Sequence, residues 1–203
     1  MSKVNPLWLT PIWEFQTSFD DSFNQTLMDE IYAIGVNMAT EVQPKISLWD
    51  YETSALGKLK QVILEQVKSK LANDLEEVNS LNLGFKADMA WVNVKAPGES
   101  IELHGHPDAA FAATYYVKTQ ENCGNLVLRT QKGNEIALPP VTGKLVFFPA
   151  YVLHHIETNK SNDLRISIST DITTVIDPNA PNALVLKSWC NDMLKIRNVP
   201  KAT

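Results

Sequence analysis

The spacing of apolar residues changes near residue 83, and this change limits the folds that are open to the chain. Between residues 83 and 173 the sequence consists of short apolar runs separated by Gly, Pro, Asn and Asp. The runs are MAWVNVK, ESIELHGH, FAATYYVK, NLVLRT, GKLVFFP, YVLHHIE and LRISISTDIT. Many short strands at this spacing predict an antiparallel sandwich or barrel rather than βαβ units.

Two amphipathic helices are predicted before this region. The first begins near Asp20, since apolar residues from Phe19 to Ile31 recur every four positions and share one face. The second covers about residues 54–78, where a stripe of Leu, Ile and Val is flanked by Lys, Glu and Gln. A short final helix is predicted at about residues 182–197. Each amphipathic helix must bury its stripe, and the β region offers the surface for it.

The predicted fold class is therefore α+β, with a double-stranded β-helix (jelly-roll) core and the N-terminal helices packed on one sheet. With 203 residues, of which 44% are hydrophobic, the chain is long enough for one domain with a sizeable core. This single domain comprises a helical half over about residues 1–80, the core over about residues 83–175 and a tail over about residues 182–197.

Charge and terminal sequence exclude several classes of protein. The formal net charge is −5 and the pI is about 5.4, so no nucleic-acid partner is expected. No apolar run reaches the roughly 18–20 residues of a membrane-spanning helix. The N-terminus lacks the basic-then-apolar order of a secretory signal. These features predict a cytoplasmic protein without membrane association, in which the apolar N-terminal segment is a candidate homo-oligomer interface.

All four histidines of the chain lie in two short stretches of the β region. His104 and His106 occur in ELHGHPD, and His154 and His155 occur in FFPAYVLHHIE. Residues i and i+2 of a strand point to the same face, so His104 and His106 can bind one ion. His154 and His155 point to opposite faces, so at most one of them is a ligand. Imidazoles and carboxylates suit Fe(II), Zn(II) or Mn(II), and the spacing predicts such a metal site.

A polar row begins eleven residues after His154, in the run RISISTD. Arg165, Ser167 and Ser169 share one face of this predicted strand, and isoleucines occupy the other. Polar side chains that face a barrel interior are costly unless something anionic lies there. An Arg fork beside a hydroxyl suits a carboxylate. The alternative is an edge strand with a solvated polar face.

These motifs resemble those of the 2-oxoglutarate/Fe(II)-dependent oxygenases, which include prolyl-hydroxylase-like and aspartyl-hydroxylase-like members. They are most similar to a bacterial and phage family of such oxygenases that carries H-x-H-P, a Y-Y strand and F-P-x-[WY]-x-x-H. The matching segments are WVN from residue 91, PGESIELHGHP from 97, TYYV from 114, GNLVL from 124, GKLVFFPAYVLH from 143 and RISIS from 165. The resemblance covers about residues 90–173, in order.

The resemblance implies a jelly-roll barrel with iron at one mouth. The first ligand would be His104, six residues after Gly98, and the last would be His154. Arg165 with Ser167 would bind the distal carboxylate of 2-oxoglutarate. Further candidates to line the cosubstrate pocket lie on neighbouring strands: Asn93 and either Tyr115 or Tyr116.

One position departs from the family pattern, because most of these oxygenases have His-x-Asp where this chain has His104 and His106. In one arrangement His104, His106 and His154 form a three-histidine site. In the other the frame shifts, and Asp108 joins His106 and His154 in the usual triad. Residues 104, 106 and 108 share a face if the strand stays regular, so periodicity leaves both sets open. The spacing from Gly98 favours the first set, in which Asp108 would orient a ligand histidine.

The implied activity is that of a dioxygenase that uses Fe(II), 2-oxoglutarate and O2, with ascorbate expected to sustain turnover. It would hydroxylate a C–H bond of a protein residue or a small molecule and release succinate and CO2. No catalytic residue separate from the metal site is predicted. Two alternatives use the same barrel. A three-histidine iron thiol dioxygenase would need no 2-oxoglutarate, and a cupin-like metal-binding isomerase or non-catalytic module would consume no O2.

Overall fold

Two sheets and two helices make up the part of the chain that a computed structural model describes, namely residues 10–35, 47–74, 83–130 and 133–176. The helices are α1 (Asp21–Ala33) and α2 (Ser54–Asp74), with a short 3-10 turn at Leu48–Asp50 between them. The strands are β1 (Trp13–Gln16), β2 (Leu83–Lys95), β3 (Ile101–His104), β4 (Phe111–Lys118), β5 (Leu126–Arg129), β6 (Glu135–Leu138), β7 (Lys144–Pro149), β8 (Leu153–Ile156) and β9 (Arg165–Ile176). None of the helices in these ranges is long and apolar enough to cross a membrane.

The strands form a five-stranded sheet in the order β1-β7-β4-β9-β2 and a four-stranded sheet in the order β3-β8-β5-β6. All neighbouring strands are antiparallel. From β2 to β9 the chain passes repeatedly from one sheet to the other, so most strands that are neighbours in space are distant in sequence, with the β5-β6 hairpin as the exception. This topology confirms the predicted α+β class with a double-stranded β-helix core.

The five-stranded sheet has an apolar face toward the helices and a more polar face toward the smaller sheet. Leu27 of α1 and Leu59 of α2 are fully buried in one cluster with Ile168 of β9, as the predicted helix stripes require. The second cluster lies between the sheets and includes Tyr116 and Leu128. Because side chains alternate along a strand, β9 sends its isoleucines to the helices and its Arg and Ser residues to the interior.

Several boundaries differ from the sequence-based expectation. Strands β1 and β6 were not expected. Each is an edge strand that is held by pairing with one neighbour, β1 with β7 and β6 with β5. The run ESIELHGH forms a strand only as far as His104, since the chain turns at Pro107 and the Ala109 N–H donates to the His106 carbonyl. The predicted helix at residues 182–197 and the end of the second predicted helix, residues 75–78, lie outside the described residues.

A single carboxylate joins the two helices. Glu30, near the end of α1, accepts hydrogen bonds from the backbone N–H groups of Ala55 and Leu56 at 3.0–3.1 Å. It also accepts from the hydroxyls of Thr53 and Ser54. Burial alone would raise the pKa of Glu30. The hydrogen bonds together have the larger effect in the opposite direction, so the pKa lies below its ordinary value. Glu30 therefore caps α2 from another element and fixes how the helices meet.

Glu30→Gln should destabilise the fold by about 1–2 kcal/mol at pH 7, because the amide replaces a charged acceptor that serves several donors. The folded-state pKa is lowered, so this contribution is present above the unfolded pKa and is lost as pH falls through the folded value. Urea unfolding at pH 7 and at about pH 3 should show a difference from wild type that shrinks in acid. Asp29→Asn, at an exposed position of the same helix, is the control.

Candidate metal centre

Three histidines converge between the two sheets near the end of β3. His104 lies opposite His154 in the register of β3 and β8, and His106 follows two residues after β3 ends. One ring nitrogen from each lies within 4.8 Å of the others. The His104 and His154 ring centroids are 4.3 Å apart, and the His106 and His154 rings are stacked at 5.0 Å. The structure thus brings together the three-histidine set predicted from spacing.

Two of the histidines have the Nδ1 atom hydrogen-bonded to a main-chain carbonyl oxygen. The His104 Nδ1 is 2.8 Å from the Glu102 carbonyl oxygen, and the His154 Nδ1 is 3.1 Å from the Val152 carbonyl oxygen. A carbonyl oxygen only accepts, so these Nδ1 atoms carry the proton and donate it. The Nε2 atoms of both rings are then unprotonated and can bind a cation.

Burial favours the neutral form of the His104 and His154 imidazoles. Burial lowers the pKa of His154 to about 3, with the neighbouring His104 adding to the effect. Burial also lowers the pKa of His104. The Nε2 atoms of His106 and His154 face each other at 3.2 Å. A metal ion between them would satisfy both lone pairs, and the donor set suits Fe(II).

Asp108, the alternative carboxylate ligand, does not join this group. It is exposed in the turn after Pro107, because the strand on which it would share a face with His106 has already ended. It also does not orient a ligand histidine. A different carboxylate, that of Asp171 on β9, approaches a histidine of the group: its Oδ1 lies 2.8 Å from the His106 Nδ1, an ion-pair distance without hydrogen-bond geometry. Asp171 was not among the residues singled out from the sequence, although alternation along β9 puts it on the same face as Arg165.

A cavity of about 460 Å³ extends from the histidines along the inner face of the five-stranded sheet. Its polar lining includes Asn93, Thr114, Arg165 and Ser169 together with the three histidines. The Asn93 amide donates to the Ser169 hydroxyl at 2.7 Å. Ser169 belongs to the polar row that the sequence predicted, and Thr114 of β4, which was not expected there, extends it.

Arg165 is fully buried, yet only one of its side-chain nitrogens makes a hydrogen bond to the described residues. Its Nη1 donates to the Ser167 hydroxyl at 3.2 Å, while Nε and Nη2 are buried without partners. Burial lowers the pKa of Arg165, with the neighbouring Tyr116 opposing this effect. A buried guanidinium with two unsatisfied donors in a cavity wall is suited to a carboxylate ligand.

The two tyrosines of β4 point to opposite sides of the sheet. Tyr116 faces the interior, where the Arg165 guanidinium lies 5.1 Å from its ring centroid, and burial raises its pKa to about 12. Its phenol therefore stays protonated. Tyr115 faces the helices and donates to Asn24 of α1 at 2.7 Å, so it cannot line the cavity. The prediction for Tyr115 is wrong, since only alternate residues of β4 reach the interior.

Residues 128–171 match a protein-family model described as "Putative 2OG-Fe(II) oxygenase". This segment contains His154, Arg165 and Asp171. This match covers 44 of the 203 residues. A sequence search of curated proteins finds no match. Enzymes of this class use Fe(II) and 2-oxoglutarate, and the histidine group and the unpaired guanidinium fit both.

Solved structures share the fold of this chain. A Pseudomonas putida prolyl-4-hydroxylase matches at 17% identity and a TM-score of 0.58, covering 81% of this chain and 88% of that one. The viral collagen prolyl hydroxylase of Paramecium bursaria Chlorella virus-1, in a 2-oxoglutarate complex, matches at 14% and 0.58, covering 81% and 96%. HygX from Streptomyces hygroscopicus, with nickel and 2-oxoglutarate bound, matches at 9% and 0.56, covering 81% and 82%. At these identities the likeness concerns the fold.

Proposed function

We propose that this oxygenase hydroxylates a C–H bond of a peptide or small-molecule substrate, with Fe(II) on His104, His106 and His154 and the distal carboxylate of 2-oxoglutarate on Arg165. One observation carries the proposal. Three convergent imidazoles and a buried guanidinium with unpaired donors line the same cavity. A site for a metal alone would have no use for the buried Arg.

The three histidines have one task, which is to present neutral Nε2 atoms to the iron. The main-chain carbonyls of Glu102 and Val152 hold two of the rings in the required tautomer. When bound, Fe(II) and 2-oxoglutarate supply the oxidation, in which O2 gives one oxygen atom to succinate, with loss of CO2, and the other to the substrate C–H bond. The protein contributes position and exclusion of water.

The interior face of β9 and its neighbours would hold the cosubstrate. Arg165 offers Nε and Nη2 to a carboxylate, while Ser167 steadies Nη1 and the Tyr116 ring covers the guanidinium. Asn93 lies across from Ser167 in the register of β2 and β9. Its amide lines the same cavity and adds a polar group between Arg165 and the histidines.

The remaining wall is apolar and would keep water from the reaction. Leu126 and Ile156 of the smaller sheet line the cavity opposite the polar row, and Ala112 of β4 lies beside that row on the same sheet. The cavity volume of about 460 Å³ exceeds what a five-carbon dicarboxylate needs, which leaves room for part of a substrate.

A thiol dioxygenase is the second candidate, and the three-histidine set favours it. In that reaction Arg165 would bind the carboxylate of an amino-acid thiol, and no 2-oxoglutarate would be consumed. The match of residues 128–171 to the oxygenase family favours the first proposal. Cosubstrate consumption separates the two.

Succinate formation by the purified protein tests the proposal. With Fe(II), ascorbate, O2 and 2-oxoglutarate, and no added substrate, we expect slow succinate release that requires both the metal and the cosubstrate. Calorimetry of 2-oxoglutarate binding to the metal-loaded protein under nitrogen gives a measurement independent of turnover. Neither succinate nor 2-oxoglutarate binding, together with O2 uptake on addition of an aminothiol carboxylate, would identify the thiol dioxygenase instead.

A further inference from the structure

Asp171 brings a carboxylate to one of the three convergent histidines. The His106 Nδ1 lies 2.8 Å from the Asp171 Oδ1, and the two side chains are 10% and 23% exposed. His104 and His154 direct Nδ1 to main-chain carbonyl oxygens instead. Among the three, His106 is therefore the ring with a charged partner in the described part of the chain.

Sheet geometry places this carboxylate at the metal centre. Asp171 follows Arg165 by six residues on β9, so both side chains lie on the interior face. The register of β2 and β9 shifts between Ala87 and Met89, and Met89 pairs with Asp171. Such a bulge re-aims side chains near a site. On the other side Asp171 is paired with Ala112, whose small side chain leaves space for a ring.

His106 depends on this contact more than the other two histidines. It lies beyond the end of β3, so no strand ladder fixes its backbone, although its N–H donates to the Ala150 carbonyl at 3.1 Å. Its ring stacks on Trp91 with a centroid distance of 5.6 Å and an interplanar angle of 27°. Stacking restricts the tilt of the ring, and the Asp171 Oδ1, which is buried and makes no hydrogen bond to the described residues, lies at ion-pair distance from Nδ1, where its charge favours a proton.

We propose that Asp171 is a positioning residue that acts on the metal through His106. It holds the proton on Nδ1 and leaves Nε2 to bind the metal. It also supplies, one side chain away, the negative charge that a three-histidine set lacks and that a carboxylate ligand would provide. The inference rests on the proposed function only in taking the three histidines as metal ligands.

Asp171→Asn should weaken Co(II) binding by about 10–100-fold in anaerobic calorimetry, because an amide removes the charge and can stabilise the wrong tautomer of His106. The visible absorption of bound Co(II) should change as well, since it reports the ligand field. Asp171→Glu, which keeps the charge, should recover part of the affinity. Equal Co(II) affinity and an identical spectrum in wild type and Asp171→Asn would overturn the proposal.

Asp108→Asn is the matched control. It removes the same charge from a second cavity that Asp108 shares with Asp171 and His106, but Asp108 makes no contact with the ring at hydrogen-bond distance. We expect its Co(II) affinity to equal that of wild type. An equal loss in both variants would show a nonspecific effect of charge and would contradict a role through His106.

The metal-free protein gives a measurement that does not depend on metal binding. Nitrogen-15 shifts of the His106 ring should show a proton on Nδ1 in wild type and a larger Nε2–H population in Asp171→Asn. An Nε2–H tautomer in wild type would overturn the proposal. If wild type forms no succinate but Asp171→Asn still weakens Co(II) binding and shifts the tautomer, the proposed function fails while the role of Asp171 stands.

Discussion

His154→Ala is expected to abolish Fe(II) binding and succinate formation, with a loss of more than about 100-fold, since even partners of metal ligands contribute 10–100-fold. His154 is the most buried of the three histidines. Its ring centroid lies 4.3 Å from that of His104 and 5.0 Å from that of His106. Its pKa of about 3 means that no proton competes with the metal near neutral pH. Fe(II)-dependent succinate release and Co(II) calorimetry measure the two losses separately.

The adjacent residue provides the control for this variant. His155 is on the opposite side of β8, where Val127 of β5 is its register partner, and it is not part of the metal group. His155→Ala should keep both metal binding and succinate formation. Thermal unfolding of the two variants checks that each is folded. Full activity in His154→Ala would refute the proposed ligand set.

Arg165→Met should affect ligand binding and stability in opposite directions. Loss of the charged partner should weaken 2-oxoglutarate binding by about 2–5 kcal/mol, or at least roughly 30-fold in Kd. The ligand-free protein should be at least as stable as wild type, because the variant removes a buried guanidinium whose Nε and Nη2 lack partners in the described residues. Calorimetry with 2-oxoglutarate and urea unfolding measure the two effects.

Two further variants isolate the role of the guanidinium. Arg165→Lys keeps a charge but loses the planar fork, so its 2-oxoglutarate affinity should fall between those of wild type and Arg165→Met. Arg129→Met makes the same substitution at an exposed position on β5 and should leave binding unchanged. Co(II) affinity should stay at the wild-type value in Arg165→Met. Unchanged 2-oxoglutarate affinity in that variant would place the cosubstrate carboxylate elsewhere.

Local periodicity was sufficient for much of the fold. The helix stripes around Leu27 and Leu59 and the alternation along β9 each depend on neighbouring residues of one element, so the sequence predicted them and the structure confirms the faces. Strands β1 and β6, which were not predicted, lie at the edges of their sheets. Their existence depends on hydrogen bonds to β7 and β5, which are more than one hundred residues away in the case of β1.

In the candidate site, too, the sequence determined some features and the tertiary structure decided others. By itself, the sequence determined the residue types of the site: two histidines on one stretch, a third on another, and Arg165 with Ser167 on one strand face. Only the tertiary structure decided that Tyr116 and not Tyr115 faces the interior. It also decided that Asp171, and not the nearby Asp108, contacts His106. A strand's alternation fixes which residues share a face, but the packing of the sheets decides which face is inside and which distant side chains meet there.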